Sequence, residues 1–190
     1  MTPTGFAQRY LDDLAGVLKG LDAAAVDRAA VCLRNARNAG GTLFACGNGG
    51  SASIASQMVV DIVKGGSYGK KAPPFRMMSL TDSVATVTAY ANDVSYESVF
   101  VEPLRNWARK GDVLIAISGS GNSPNVLRAV EYANRIECTT IGLTTARGGR
   151  LKDLVSLPLL VPSTHMGRLE DAFFIMTHIL CYAFIEDACP

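Results

Sequence analysis

Two loops made almost wholly of glycine, serine and asparagine constrain this chain more than any other feature. They are Cys46-Gly-Asn-Gly-Gly-Ser51 and Ser118-Gly-Ser-Gly-Asn-Ser123. Each follows a short apolar run, Thr42–Cys46 or Asp112–Ile117, and each leads into a helical pattern, Ala52–Val63 or Asn125–Arg135. The strand–loop–helix unit recurs. Phe75–Leu80, Thr139–Leu143 and Leu157–Val161 read as further strands. Asp82–Tyr90, Tyr96–Arg109, a short Leu151–Val155 and a long Arg168–Asp187 read as helices. Strands that alternate with helices predict an α/β fold, a three-layer α/β/α sandwich around a mainly parallel, five-stranded sheet. Upstream, Phe6, Tyr10, Leu11, Leu14, Leu18 and Leu21 recur at helical spacing. Asp22 is placed to cap a second helix that Gly40-Gly41 ends, so residues up to about 40 form an N-terminal helical segment. The 190 residues are expected to form a single domain.

Lysine and arginine total 18 against 17 acidic residues, so no global field selects nucleic acid or an anionic membrane. No apolar run approaches the length of a membrane span, and Thr177 and His178 interrupt the greasiest stretch, Ala172–Ile185. Five scattered cysteines lack any CxxC or CxxH pairing, which argues against a disulfide framework or a zinc knuckle. Met1–Arg9 carries no leader-like pattern. A cytoplasmic, reduced protein is expected. At 48% apolar residues the chain is slightly greasy, which suggests that some surface is buried against other subunits.

The loops point to an anion. Glycines let a backbone turn sharply and expose its N–H groups, and Ser51 stands where an N-cap hydroxyl would stand. A helix start with free N–H groups is a prepared anion site. Taken alone, the first loop could equally be a tight strand-to-helix turn. The second adds three hydroxyls and an amide at the end of the clearest strand, with Pro124 suited to the first helical turn. Two such loops favour phosphate binding. Neither is GxGxxG, and no P-loop lysine follows, so no nucleotide cofactor is expected.

Cys46–Ser51, Tyr90-Ala-Asn-Asp93, Gly111–Ser123 and Thr140-Ile-Gly-Leu-Thr144 together resemble the SIS (sugar isomerase) domain. Within it they are most similar to the sedoheptulose 7-phosphate (phosphoheptose) isomerase group, from about Ala7 to the C-terminus. The resemblance implies a sugar phosphate as ligand and a homo-oligomer, usually a tetramer with shared sites. It places Ser51, Ser118, Gly119, Ser120 and Ser123 at the phosphate, and Asn48, Gly49, Gly50, Asn92 and Asp93 along the sugar. In well-described members a helical histidine, a glutamate four residues later, a glutamine on the last helix and a histidine eight residues further on bind zinc. The glutamate and last histidine also handle protons. Here those positions are Gln57, Asp61, Glu170 and His178, and only His178 is unchanged. Glutamine is a poor zinc ligand beside imidazole, and aspartate is a methylene shorter than glutamate.

The implied activity is aldose–ketose isomerisation through an enediol(ate), with Asp61 as base, His178 as its proton-shuttling partner and Glu170 holding a hydroxyl, or a metal if zinc binds at Gln57, Asp61, Glu170 and His178. The altered residues also motivate a non-catalytic phosphosugar-binding module with a regulatory or adaptor role. Each singled-out residue has a plainer reading. Asp61 lies in the apolar run Met58–Val63, where an acid needs a partner. His178 could be a satisfied core histidine, while Glu170 and Asp171 could simply suit a positive helix end. Lys64 and His165 read as surface residues, and Cys46 as a small buried strand residue without a base.

Overall fold

A computed structural model of the chain describes residues 5–189, so part of the Met1–Arg9 segment lies outside the described residues. Two helices open the chain, α1 (Phe6–Lys19) and α2 (Ala23–Asn38). Asp22 caps α2 by accepting from the Ala25 N–H at 3.1 Å. The strands are β1 (Thr42–Gly47), β2 (Arg76–Ser79), β3 (Val113–Ile117), β4 (Thr139–Thr145) and β5 (Leu157–Val161). All four pairings are parallel, in the order β2-β1-β3-β4-β5. The remaining helices are α3 (Gly50–Val60), α4 (Val84–Asp93), α5 (Val101–Trp107), α6 (Pro124–Arg135), α7 (Gly149–Leu154) and α8 (Met166–Ile185).

Residue alternation divides the core. Leu43, Ala45, Ile115 and Ile117 face α2, α3 and α8, whereas Phe44, Cys46, Leu114 and Ala116 face α5, α6 and α7. Both faces of the sheet are therefore covered, which is why β1 and β3 are apolar at nearly every position.

The structure departs from the sequence reading in two helices. The expected helix Tyr96–Arg109 is a short 3₁₀ turn, Tyr96–Ser98, followed by a separate α5. Pro103 has no N–H and is tolerated only in a first turn, so the helix restarts just before it. The helix after the first loop does not end plainly at Val63. It passes into a π-helical turn over Asp61–Gly65, where the Gly66 N–H reaches back five residues to the Asp61 carbonyl at 2.9 Å. Such turns insert a residue into the helical repeat and re-aim the side chains around them. No residue of α1 is buried, and Phe6 and Leu11 of its apolar stripe are exposed.

Candidate functional site

Strand order brings the two loops together. The chain runs from β1 through α3 to β2 on one side, then returns past β1 to β3 on the other. The direction of winding thus reverses between β1 and β3, and ligands of open parallel sheets sit in the crevice at the carboxyl ends of such strands. Gly47 and Ile117, the last residues of β1 and β3, are directly paired. Both loops therefore open into one crevice. At Gly47 a Cβ would stand 2.6 Å from the Ser51 Cβ and 3.0 Å from the Ile117 carbonyl oxygen, so glycine is needed to let the loop fold back.

In the first loop, Gly49 (φ 55°, ψ −122°) occupies the N-cap position and Gly50 begins α3. Ser51 is one residue inside the helix, buried, and not the N-cap that its sequence position suggests. A Cβ on Gly50 would lie 2.6 Å from Glu170 Oε1. The second turn of α8 thus lays a carboxylate against the positive end of α3. That helix start, read from sequence as an anion site, already carries an anionic side chain of the protein itself.

The serine loop carries no such charge. Ser118 is buried, and its Oγ is 3.0 Å from Ser123 Oγ. Ser120 is exposed and its Oγ accepts from the Asn122 N–H at 3.2 Å. Ser123 precedes Pro124, the first residue of α6, and makes no side-chain cap. Gly119 lets α8 close over the loop, since a Cβ there would be 2.9 Å from Met166 Sδ and 3.2 Å from Leu169. The result is a hydroxyl-lined cradle at the N-terminus of α6, where the Asn125 side chain accepts from the Val126 N–H at 3.0 Å.

Asn48 projects between the loops. Its amide exchanges two hydrogen bonds with Asn125, each 2.9 Å, and accepts a third from the Tyr96 hydroxyl at 2.8 Å. Asn125 is almost fully buried. Sequence reasoning missed both partners. An asparagine on the apolar face of α6 directly after Pro124 was the available signal. Asn92 and Asp93 end α4, are exposed, and bond to each other at 2.7 Å; no hydrogen bond ties them to either loop among the described residues.

Along α3 and α8 the other four residues converge in part. His178 Nε2 stands 3.5 Å from Asp61 Oδ2, with the histidine side chain 46% exposed and the aspartate 18%. The Gln57 amide nitrogen lies 3.3 Å from both Asp61 oxygens, one turn earlier on the same face. Glu170 is instead at Gly50, eight residues from His178, about 12 Å by helical rise. These donors do not match tetrahedral zinc. The site has one imidazole, one short carboxylate and an amide that donates to that carboxylate, while Glu170 is engaged at Gly50.

The plainer readings hold elsewhere. Burial pushes the Cys46 thiol up to about 12, so it is no nucleophile. Lys64 is exposed. Asp171 accepts from the Tyr10 hydroxyl at 2.6 Å and ties α1 to α8. His165 is exposed and caps α8, its Nδ1 accepting from the Arg168 N–H at 3.4 Å.

Comparison with known proteins identifies the family and the fold. The family model of the SIS domain matches residues 9–145. A phosphoheptose isomerase of Rhodospirillum rubrum is 38% identical over 166 residues, 87% of either chain. One of Helicobacter pylori is 38% identical over 164 residues, 86% of this chain and 84% of its own. The structure of a phosphoheptose isomerase from Francisella tularensis superposes with a TM-score of 0.90 at 28% identity, covering 98% of this chain and all of that one. A second, from Neisseria gonorrhoeae, gives a TM-score of 0.82 over 95% of both chains.

Proposed function

Because the chain belongs to the SIS domain family, we propose that it is a phosphoheptose-type isomerase, interconverting sedoheptulose 7-phosphate, or a related heptose or octose phosphate, with its aldose. One observation carries the reading. Two glycine- and serine-rich loops follow the directly paired strands β1 and β3, and the helix after the first of them leads to an Asp61–His178 pair.

The phosphate takes the α6 cradle, held by Ser118, Ser120 and Ser123 and by backbone N–H groups, because Glu170 already sits at the start of α3. Ser51 adds its hydroxyl at the phosphate, and Asn48, held by Asn125, lines the sugar with Gly49, Gly50, Asn92 and Asp93. Anchoring the remote phosphate uses its binding energy to orient the reacting carbons. At the far end Asp61 takes the C1 proton of the ketose and returns it to C2. His178 carries a proton from the C1 hydroxyl to the C2 oxygen, so the carbonyl moves by one carbon through an enediol(ate). Gln57 orients Asp61 from one turn away. Glu170 holds a sugar hydroxyl.

No zinc takes part in this scheme, because the donors do not match the ion. Sedoheptulose 7-phosphate is expected to yield its aldose at a rate that changes by less than about twofold after chelation or added zinc. Binding of heptulose and octulose phosphates without any product would instead support the regulatory or adaptor module. Loss of activity on chelation would return the metal to the scheme.

The protein works as a homo-oligomer, a tetramer in the reading we favour, in a cytoplasmic setting. Val60 and Val63, next to Asp61, and Ile179 and Tyr182, on α8 with the half-exposed His178, are exposed apolar residues, a surface suited to cover by another subunit. Light scattering should report an oligomer; a monomer would overturn the assembly. The cytoplasmic assignment is supported by five free cysteines and a neutral charge balance.

A further inference from the structure

Three of the four threonines of β4 have buried hydroxyls to satisfy, and two of them do so. Thr140 Oγ1 donates to Asn134 Oδ1 at 2.8 Å and accepts from the Ser156 N–H at 2.9 Å. Thr145 Oγ1 donates to the Ser163 carbonyl at 2.7 Å. Thr144 is fully buried and its hydroxyl has no partner. A buried hydroxyl left unpaired is costly, and an isosteric valine would avoid that cost.

The location of this orphan gives it a use. Ile117 pairs with Leu143, and the Ser118 N–H continues the ladder to the Leu143 carbonyl at 3.0 Å. Thr144 is therefore the neighbour of Ser118 on the same sheet face. A Cβ built on Gly121 would lie 2.9 Å from Thr144 Oγ1, so the hydroxyl sits directly beneath the tip of the serine loop. That tip is pinned on either side of Thr144. The Gly121 N–H donates to the Ser118 carbonyl at 3.1 Å, and its carbonyl accepts from the Leu151 N–H at 2.9 Å.

We propose that Thr144 is a positioning residue for the phosphate, its hydroxyl gaining a backbone carbonyl of the loop tip as acceptor when the serine loop tightens around the anion. The proposal rests on the serine loop being the phosphate cradle. The unliganded protein holds the hydroxyl unpaired, and the bond forms only in the loaded state, so its free energy appears as phosphate affinity. Thr144 never touches the sugar, and the effect falls on binding and not on proton transfer.

The test compares the intact protein with its Thr144→Val and Thr144→Ser variants, using inorganic phosphate and sedoheptulose 7-phosphate as probes. In Thr144→Val the unliganded melting temperature should equal or exceed that of the wild type. The phosphate Kd and the sugar-phosphate KM should rise roughly five- to tenfold, as expected for one lost hydrogen bond. The kcat should stay within about twofold, since the interaction is shared by ground and transition states. Thr144→Ser keeps the hydroxyl and should bind phosphate as the wild type does. An unchanged phosphate affinity in Thr144→Val, against a clear response in the wild type, overturns the role of Thr144 alone. So does a lower unliganded melting temperature, which would mean that the hydroxyl already has a partner. A wild type that does not respond to phosphate overturns the cradle and this proposal with it.

Discussion

Replacing Asp61 with asparagine is expected to lower kcat for the isomerisation by about 10²- to 10⁴-fold, the range for loss of a positioned general base. Asparagine keeps the shape of the side chain and still offers one oxygen to the Gln57 amide, so the local packing of α3 against α8 survives. What disappears is the anionic oxygen facing His178 at 3.5 Å. Because the proposed phosphate cradle is formed by other elements, stabilisation of the protein by phosphate should be unaltered, following the ordinary linkage of ligand binding to stability. Measuring both on one preparation separates chemistry from binding. Full activity in the variant would remove Asp61 from the mechanism, and loss of the phosphate response as well would mean that the substitution disturbs more than the base.

The largest structural effect is expected at the tip of the serine loop. Gly121 has φ +67°, and a Cβ there would overlap the Gly148 carbonyl oxygen outright. Gly121→Ala should destabilise the protein by about 2–4 kcal/mol, combining the left-handed backbone cost with a clash against rigid backbone. It should also abolish the phosphate-induced shift in melting temperature, because the loop must leave its seat on β4 and the loop before α7. Gly40→Ala supplies the control. Gly40 also has positive φ (+74°) but open space around it, so only the backbone cost of about 1–2 kcal/mol applies. Equal denaturation midpoints for the two variants would show that the Gly121 contact is soft.

Much of this arrangement could be read from the sequence because the relevant signals are local. Strand runs, the Asp22 cap, Pro124 at the start of α6 and the glycine turns depend on neighbours a few residues away, and the structure has them where expected. The break between Tyr96 and α5 was also local, since Pro103 announces it, but the apolar periodicity masked that signal. The site was harder to read. Asn48 looks like a loop residue until Asn125, 77 positions later, is seen to lock its amide. Glu170 cannot be placed at Gly50 by spacing alone, because that contact depends on how α8 lies across α3. The displacement of Ser51 from the N-cap and the π-turn at Asp61 are similarly decisions of packing.

The sequence by itself determined that two neutral, donor-rich loops end apolar strands in a parallel α/β chain, because glycine freedom, hydroxyl chemistry and strand periodicity are properties of short segments. Only the tertiary structure decided that the winding reverses between β1 and β3 and so brings both loops to one crevice. It also decided that Glu170 lies against the start of α3, and that the Gln57 amide and the His178 ring both stand beside the Asp61 carboxylate. The physical reason is distance along the chain: contacts between residues about a hundred positions apart are set by layer packing, to which no local pattern is sensitive.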